Sequence, residues 1–148
     1  MFMREVKNPT RKKKGRRPPF KVLIADDSAL LRKRLIALLN ENNCKDHIFE
    51  SRDVPTTLAA CKKHHPRVII LDLNMPGGGG YKALKQIKSE EQAPIVIVFT
   101  NYPQSVYRER CRAAGAEYFL DKSNDFRLIP GLLAGINENT IVKHTRLE

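Results

Sequence analysis

The chain has 148 residues, 41% of them hydrophobic and 29% charged, with a formal net charge of +11. That length suits one domain with a full core, no apolar run approaches the length of a membrane span, and the charged N-terminus lacks the apolar segment of a secretory signal. Cys44, Cys61 and Cys111 are widely spaced with no C-x-x-C pair, which argues against a disulfide framework and for reduced thiols in a cytoplasmic setting.

The charge is concentrated at the start. Residues 1–19 hold eight Lys/Arg and one Glu, a net +7. They also carry Pro9, Gly15, Pro18 and Pro19 and no hydrophobic periodicity. Like charges repel, and little apolar surface offsets the ordering entropy. A disordered basic arm is predicted over 1–19. Its residues 4–17 would suit nucleic acid, an acidic partner or anionic lipid, or would simply be solvated. No interleaved aromatics point to base stacking.

Phe20 to Ala25 reads as the first strand and runs into Asp26-Asp27-Ser28. From Ala29 to Leu39, Leu31, Leu35, Leu38 and Leu39 recur at helical spacing, with Ser28 as N-cap. His47 to Glu50 is a short strand at a sheet edge. Pro55 to His65 reads as a helix, with His64 and His65 suited to its C-terminal dipole. None of His47, His64, His65 and His144 has metal-ligand spacing.

Arg67 to Asp72 contains an apolar run without alternation, Val68 to Leu71, as in a strand covered on both faces. Pro76 and Gly77 to Gly80 stop it. A helix from Tyr81 to Ser89 follows, then a second continuous strand, Pro94 to Phe99, ending at Thr100-Asn101. Gln104 to Ala114 is a polar helix with Gly115 beyond its end. Ala116 to Leu120 is the last strand, ending at Asp121-Lys122. Between Asn124 and Glu138 one turn near 125–128 is predicted, then a reset at Pro130, because proline is well placed only at a helix start. Residues 139–148 read as a flexible tail. Five strands alternating with five helices predict a doubly wound parallel sheet with right-handed crossovers.

In such a sheet the carboxyl ends of the strands share one edge, where ligands bind. That edge would gather Asp26, Asp27, Asp72, Thr100 and Lys122. Three close carboxylates repel and raise one another's pKa. A hard divalent cation removes the conflict, and Mg²⁺ prefers such oxygen ligands. The Thr100 hydroxyl and the Lys122 ammonium both suit phosphoryl oxygens. Together these groups could accept a phosphoryl group on a carboxylate.

Asp26-Asp27-Ser28, Asp72-Leu73-Asn74-Met75-Pro76 with Gly80 eight residues after the aspartate, Thr100 and Lys122 resemble the receiver domain of two-component response regulators over residues 20–138. The resemblance implies a flavodoxin-like sheet of order 2-1-3-4-5 with five helices. It implies Asp72 as phosphoacceptor, Mg²⁺ held by Asp26, Asp27, Asp72 and the Asn74 carbonyl, and Thr100 and Lys122 on the phosphoryl group. Phe119, three residues before Lys122, matches the family's switch aromatic, with a plain core residue as the alternative. The implied donor is a sensor histidine kinase or a phosphotransfer protein, and the output face is the fourth helix, fifth strand and fifth helix toward an unidentified protein. A homodimer stays among the open arrangements.

The chain also departs from the family. Ser123 stands where a cis proline commonly follows the lysine, so a trans bond and an altered loop are expected. Asn101 stands where the family usually has a small residue after the threonine, and Tyr102 follows at a position that lines access to the phosphoryl group, where it is expected to hinder in-line water and slow dephosphorylation. The leading reading is a stand-alone receiver, a signalling domain with no output enzyme. The alternative is a phosphorylation-independent scaffold acting through the basic arm. A phosphatase of the haloacid dehalogenase kind would want an aspartate at position 74, which is Asn.

Overall fold

A computed structural model describes residues 21–42, 47–101 and 105–137. The basic arm, Cys44, Tyr102, His144 and the C-terminal tail lie outside the described residues. The elements in order are β1 (Lys21–Ala25), α1 (Ala29–Glu41), β2 (His47–Ser51), α2 (Val54–His64), β3 (Val68–Leu71), α3 (Gly80–Lys88), β4 (Ile95–Thr100), α4 (Ser105–Ala113), β5 (Tyr118–Asp121), a 3-10 turn (Phe126–Leu128) and α5 (Ile129–Asn137). The strands form one parallel sheet of order β2-β1-β3-β4-β5. This is the flavodoxin-like order, with β2 at an edge.

The unbroken apolar runs are explained by two cores, one on each face. Side chains alternate across a strand. Val22, Ile24, Val68, Ile70, Ile97, Phe99, Tyr118 and Leu120 pack with Leu35 and Leu39 of α1 and with Leu132, Leu133 and Ile136 of α5. Leu23, Ile69, Leu71, Val96, Val98 and Phe119 pack with Ala83, Leu84 and Ile87 of α3 and Cys111 of α4. Each fully buried Leu or Ile contributes about 1.5–3 kcal/mol. Both layers together fix the strand register and thereby the carboxyl edge.

Local chemistry ends the helices. Ser28 caps α1 by accepting from the Leu31 N–H at 3.2 Å. The second helix begins one residue before Pro55. Asp53 caps it, accepting from Thr56 N–H at 2.8 Å in a reciprocal capping box. The helix stops at His64, and His65 takes the left-handed conformation (φ 49°) with its N–H donating to Cys61. After α4, Gly115 (φ +106°) and Ala116 donate to the carbonyls of Arg112 and Cys111, a Schellman ending. At the last helix the 3-10 turn precedes Ile129 and Pro130, so the proline sits in the first turn of α5.

Candidate functional site

The ends of β1, β3 and β5 are each tied to a neighbouring strand by an extra ladder bond. The Asp26 N–H donates to the Ser51 carbonyl (3.0 Å), the Asp72 N–H to the Ala25 carbonyl (2.9 Å) and the Lys122 N–H to the Thr100 carbonyl (2.9 Å). The backbones that carry the acids and the lysine are therefore part of the sheet, which places their side chains with little freedom.

The carboxylates of Asp26, Asp27 and Asp72 offer oxygens that all lie within 4.8 Å of one another. Asp26 and Asp72 are buried and Asp27 is exposed. Lys122 reaches in from β5, with Nζ 2.7 Å from Asp26 Oδ2 and 3.5 Å from Asp72 Oδ2. Asp26 Oδ1 accepts from the Ser28 N–H (2.9 Å) and Asp72 Oδ1 from the Asn74 N–H (3.2 Å). Burial, and after it the charge of Asp26, push the Asp72 carboxyl up to about 6, against the opposing pull of Lys122. An all-oxygen donor set with surplus negative charge fits a hard divalent cation such as Mg²⁺.

The loop beside Asp72 is shaped by glycine for two reasons. Gly77, Gly78 and Gly79 have φ of +92°, +117° and +87°, which L-residues rarely adopt. Gly80 has no room for a side chain. A Cβ there would collide with the Asp72 carbonyl and the Leu73 Cα. The Gly80 N–H donates to the Leu73 carbonyl (2.8 Å), and the Val54 N–H to the Pro76 carbonyl (3.0 Å). Buried Met75 anchors the loop in the α3 core. The four glycines thus serve a pinned loop rather than the conformational freedom they suggest in isolation.

Thr100 is fully buried at the end of β4, and Asn101 is exposed directly after it. Phe119 is 2% exposed, with the Arg108 guanidinium 5.1 Å from its ring centroid. Asp26, Asp27, Asp72 and Lys122 converge through their side chains, and Thr100 is joined to Lys122 through the backbone. The Asn74 side chain is exposed and its N–H faces Asp72.

The β5–α5 turn, where proline is absent, is held by carboxylates. Asp121 Oδ1 accepts from the Ser123 N–H (3.0 Å) and Oδ2 from the Asn124 side-chain amide (2.8 Å). Asp125 Oδ2 accepts from the Asp121 N–H (2.8 Å), and the Asp125 N–H returns to the Asp121 carbonyl (2.8 Å). No cis peptide bond occurs among the described residues. The cluster Asp-Lys-Ser-Asn-Asp is a turn signal beyond the single turn near 125–128 expected from the sequence. Arg32 is a further site residue that no motif marks. Its Nη1 donates to the Asp26 carbonyl (2.6 Å) and its Nε to Glu50 (2.8 Å), clamping the first acidic loop to β2. Only its place one turn into α1 hinted at this.

Known proteins share this fold and family. The family described as "Response regulator receiver domain" matches residues 22–133. The transcriptional regulatory protein PdtaR of Mycobacterium tuberculosis is 36% identical over 104 residues, covering 70% of this chain and 50% of that protein. This chain thus spans about half the length of that relative. Among solved structures, the signal receiver domain of a DNA binding response regulator (merR) from Colwellia psychrerythraea 34H superposes with a TM-score of 0.75 at 26% identity, covering 80% of this chain and 98% of that one. The response regulator domain of Thermotoga maritima CheB does so with a TM-score of 0.69 at 23% identity, covering 83% and 96%. No helix among the described residues is long and apolar enough to cross a membrane. With its acidic edge, the partly buried Lys122 beside it and a family match across nearly all of the described residues, the chain belongs to the response regulator receiver domains of two-component systems.

Proposed function

We propose that this receiver accepts a phosphoryl group on Asp72 from a phosphohistidine of a sensor kinase or phosphotransfer protein. The observation that carries the reading is the meeting of Asp26, Asp27 and Asp72 within 4.8 Å, with Lys122 beside two of them. An Asp72 oxygen forms the bond to phosphorus as the phosphorus–nitrogen bond breaks. The electron pair stays on the imidazole nitrogen, which takes a proton from solvent. Asp26, Asp27, Asp72 and the Asn74 carbonyl are the proposed holders of Mg²⁺, which when bound supplies positive charge against the phosphoryl oxygens. Lys122 can swing its ammonium from Asp26 toward those oxygens, and the Thr100 hydroxyl donates to one of them.

Binding of the phosphoryl group by Thr100 and Lys122 then biases a two-state equilibrium. Phe119 is the proposed second member of that switch, since its ring lies in the core that α3 and α4 share. The α4-β5-α5 face is the proposed output surface, and the cytoplasm is the proposed setting. Asn101 and Tyr102 are proposed to govern water access and hence the lifetime of the phosphorylated form.

Intact-mass spectrometry after incubation with acetyl phosphate, with and without Mg²⁺, tests the reading. A single phosphoryl adduct is expected that needs Mg²⁺ and disappears in Asp72→Ala. A wild-type protein that stays folded yet acquires no adduct from acetyl phosphate or from phosphohistidine donors would favour the phosphorylation-independent scaffold.

A further inference from the structure

The helix pair α3 and α4 carries an unusual charge pattern. Lys82 and Lys85 on α3 and Arg108 and Arg110 on α4 are all exposed. None of the four forms an ion pair with a described carboxylate; the one acid on either helix, Glu109, is taken by Arg112 at 2.9 Å. Arg110 and Lys85 instead both lie over the Tyr81 ring, at 4.5 and 5.6 Å from its centroid. Cations gathered without counter-charges on a folded surface cost electrostatic energy, which a negatively charged partner relieves.

The same place is concave and partly apolar. A cavity of about 380 Å³ opens between the helices, lined by Leu73, Asn74, Tyr81, Tyr107, Arg110 and Cys111. On its α4 side, Val106 is 58% and Tyr107 40% exposed. Large apolar and aromatic groups at a pocket whose lining includes an arginine, Arg110, are the composition of a protein-docking anchor site. A phosphate backbone would use the cations but not the cavity. The geometry therefore points to a protein partner rather than a nucleic acid. We propose that the α3–α4 groove docks an acidic peptide segment of a partner protein, with one apolar side chain of that segment seated between Tyr81 and Tyr107.

This groove lies on the α3 side of α4, a helix it shares with the α4-β5-α5 face, and the proposal does not depend on phosphorylation. Leu73 and Asn74 do form the cavity wall directly after Asp72, however. A bound segment and a change at Asp72 would therefore share one loop, and any coupling between them must be reciprocal.

The test is selection of a randomised 12-residue peptide display library on the full chain, followed by affinity measurements on the selected peptides. Peptides combining Asp/Glu with a Leu, Ile or Phe anchor are expected. Their affinity should fall at least tenfold in Lys85→Glu/Arg110→Glu and in Tyr107→Ser. It should stay within twofold in Lys12→Glu/Lys13→Glu, which reverses charge in the N-terminal arm. Circular dichroism of every variant establishes that the fold is kept. The proposal is overturned if the selected peptides are insensitive to the groove variants, if they follow the arm variants, or if no acidic peptide is selected. Tighter, groove-dependent binding of a 12-nucleotide single-stranded RNA than of any selected peptide would overturn it in favour of nucleic acid.

Discussion

Lys122 sits closer to Asp26, at 2.7 Å, than to Asp72, at 3.5 Å. Its side chain is 13% exposed and those of both aspartates 4%. Removing one member of such a buried group leaves uncompensated charge and typically costs about 3–5 kcal/mol. Lys122→Met is therefore expected to lower the unfolding free energy in EDTA by about 3 kcal/mol, read from urea denaturation at pH 7. Adding Mg²⁺ should restore part of the loss, because the cation takes over neutralisation of the same carboxylates. Equal stability of mutant and wild type in EDTA would mean that the lysine does not hold this site together.

Asp72 makes the metal-free site sensitive to pH in a defined direction. Its folded-state value of about 6 lies above the ordinary 3.8. Between those values the folded protein holds a proton that the unfolded chain has released, so stability falls as pH rises through the window and levels off above it. Asp72→Asn lacks this titration. In EDTA its melting temperature should exceed that of the wild type above pH 6, with the difference vanishing below pH 4. Saturating Mg²⁺ should reverse the order at pH 7, since the cation favours the charged aspartate. A constant difference across pH 3–8 would exclude Asp72 as the titrating group.

The strands and their carboxyl-edge residues were legible because apolar runs such as Val68–Leu71 and Ile95–Phe99 end abruptly at polar groups. The two-core arrangement makes those runs continuous, and the topology then leaves one edge for Asp26, Asp72, Thr100 and Lys122. Side-chain choices made across the fold were not legible. Glu117 lies inside the predicted strand Ala116–Leu120 with no partner evident from its neighbours in sequence, yet its carboxylate accepts from the Val96 N–H and from Lys88, both at 2.9 Å. That bond joins residues 29 positions apart, and no local pattern encodes it. The Arg32 clamp and the preference of Lys122 for Asp26 are of the same kind. Helix ends moved by a residue or two because caps decide them. Asp53 begins α2 through Thr56, a pair easily overlooked beside the stronger signal of Pro55.

Two glycines separate steric need from helix propensity. A methyl group at Gly80 would drive into the Asp72 carbonyl and the Leu73 Cα, which belong to backbone and cannot move aside cheaply. Gly80→Ala is expected to cost about 1–3 kcal/mol, as overpacking does, and to lower the yield of phosphoryl adduct by displacing the Asp72 loop. A Cβ at Gly131, in α5, meets nothing within 4 Å. Gly131→Ala should stabilise by about 0.5 kcal/mol, through reduced freedom of the unfolded chain. Thermal denaturation of the two variants beside wild type checks both signs.

The Asp121–Asp125 knot does locally what a rigid residue after Lys122 would do. Asp125 receives the Asp121 N–H, and Asp121 in turn holds Ser123 and Asn124. Lys122 is carried between these bonds, so its backbone direction depends on them. Asp125→Ala loses the bond to the Asp121 N–H, worth about 1 kcal/mol in stability. The larger expected effect is on the site, because the Lys122 ammonium gains freedom and neutralises Asp26 and Asp72 less well. In Asp125→Ala the Asp72 titration, followed by NMR of a side-chain ¹³C-labelled protein in EDTA, should move above its wild-type position of about 6. Asp125→Asn retains an acceptor for the same N–H and should restore the titration. A wild-type titration in Asp125→Ala, with the stability loss present, would make the knot a support for α5 alone.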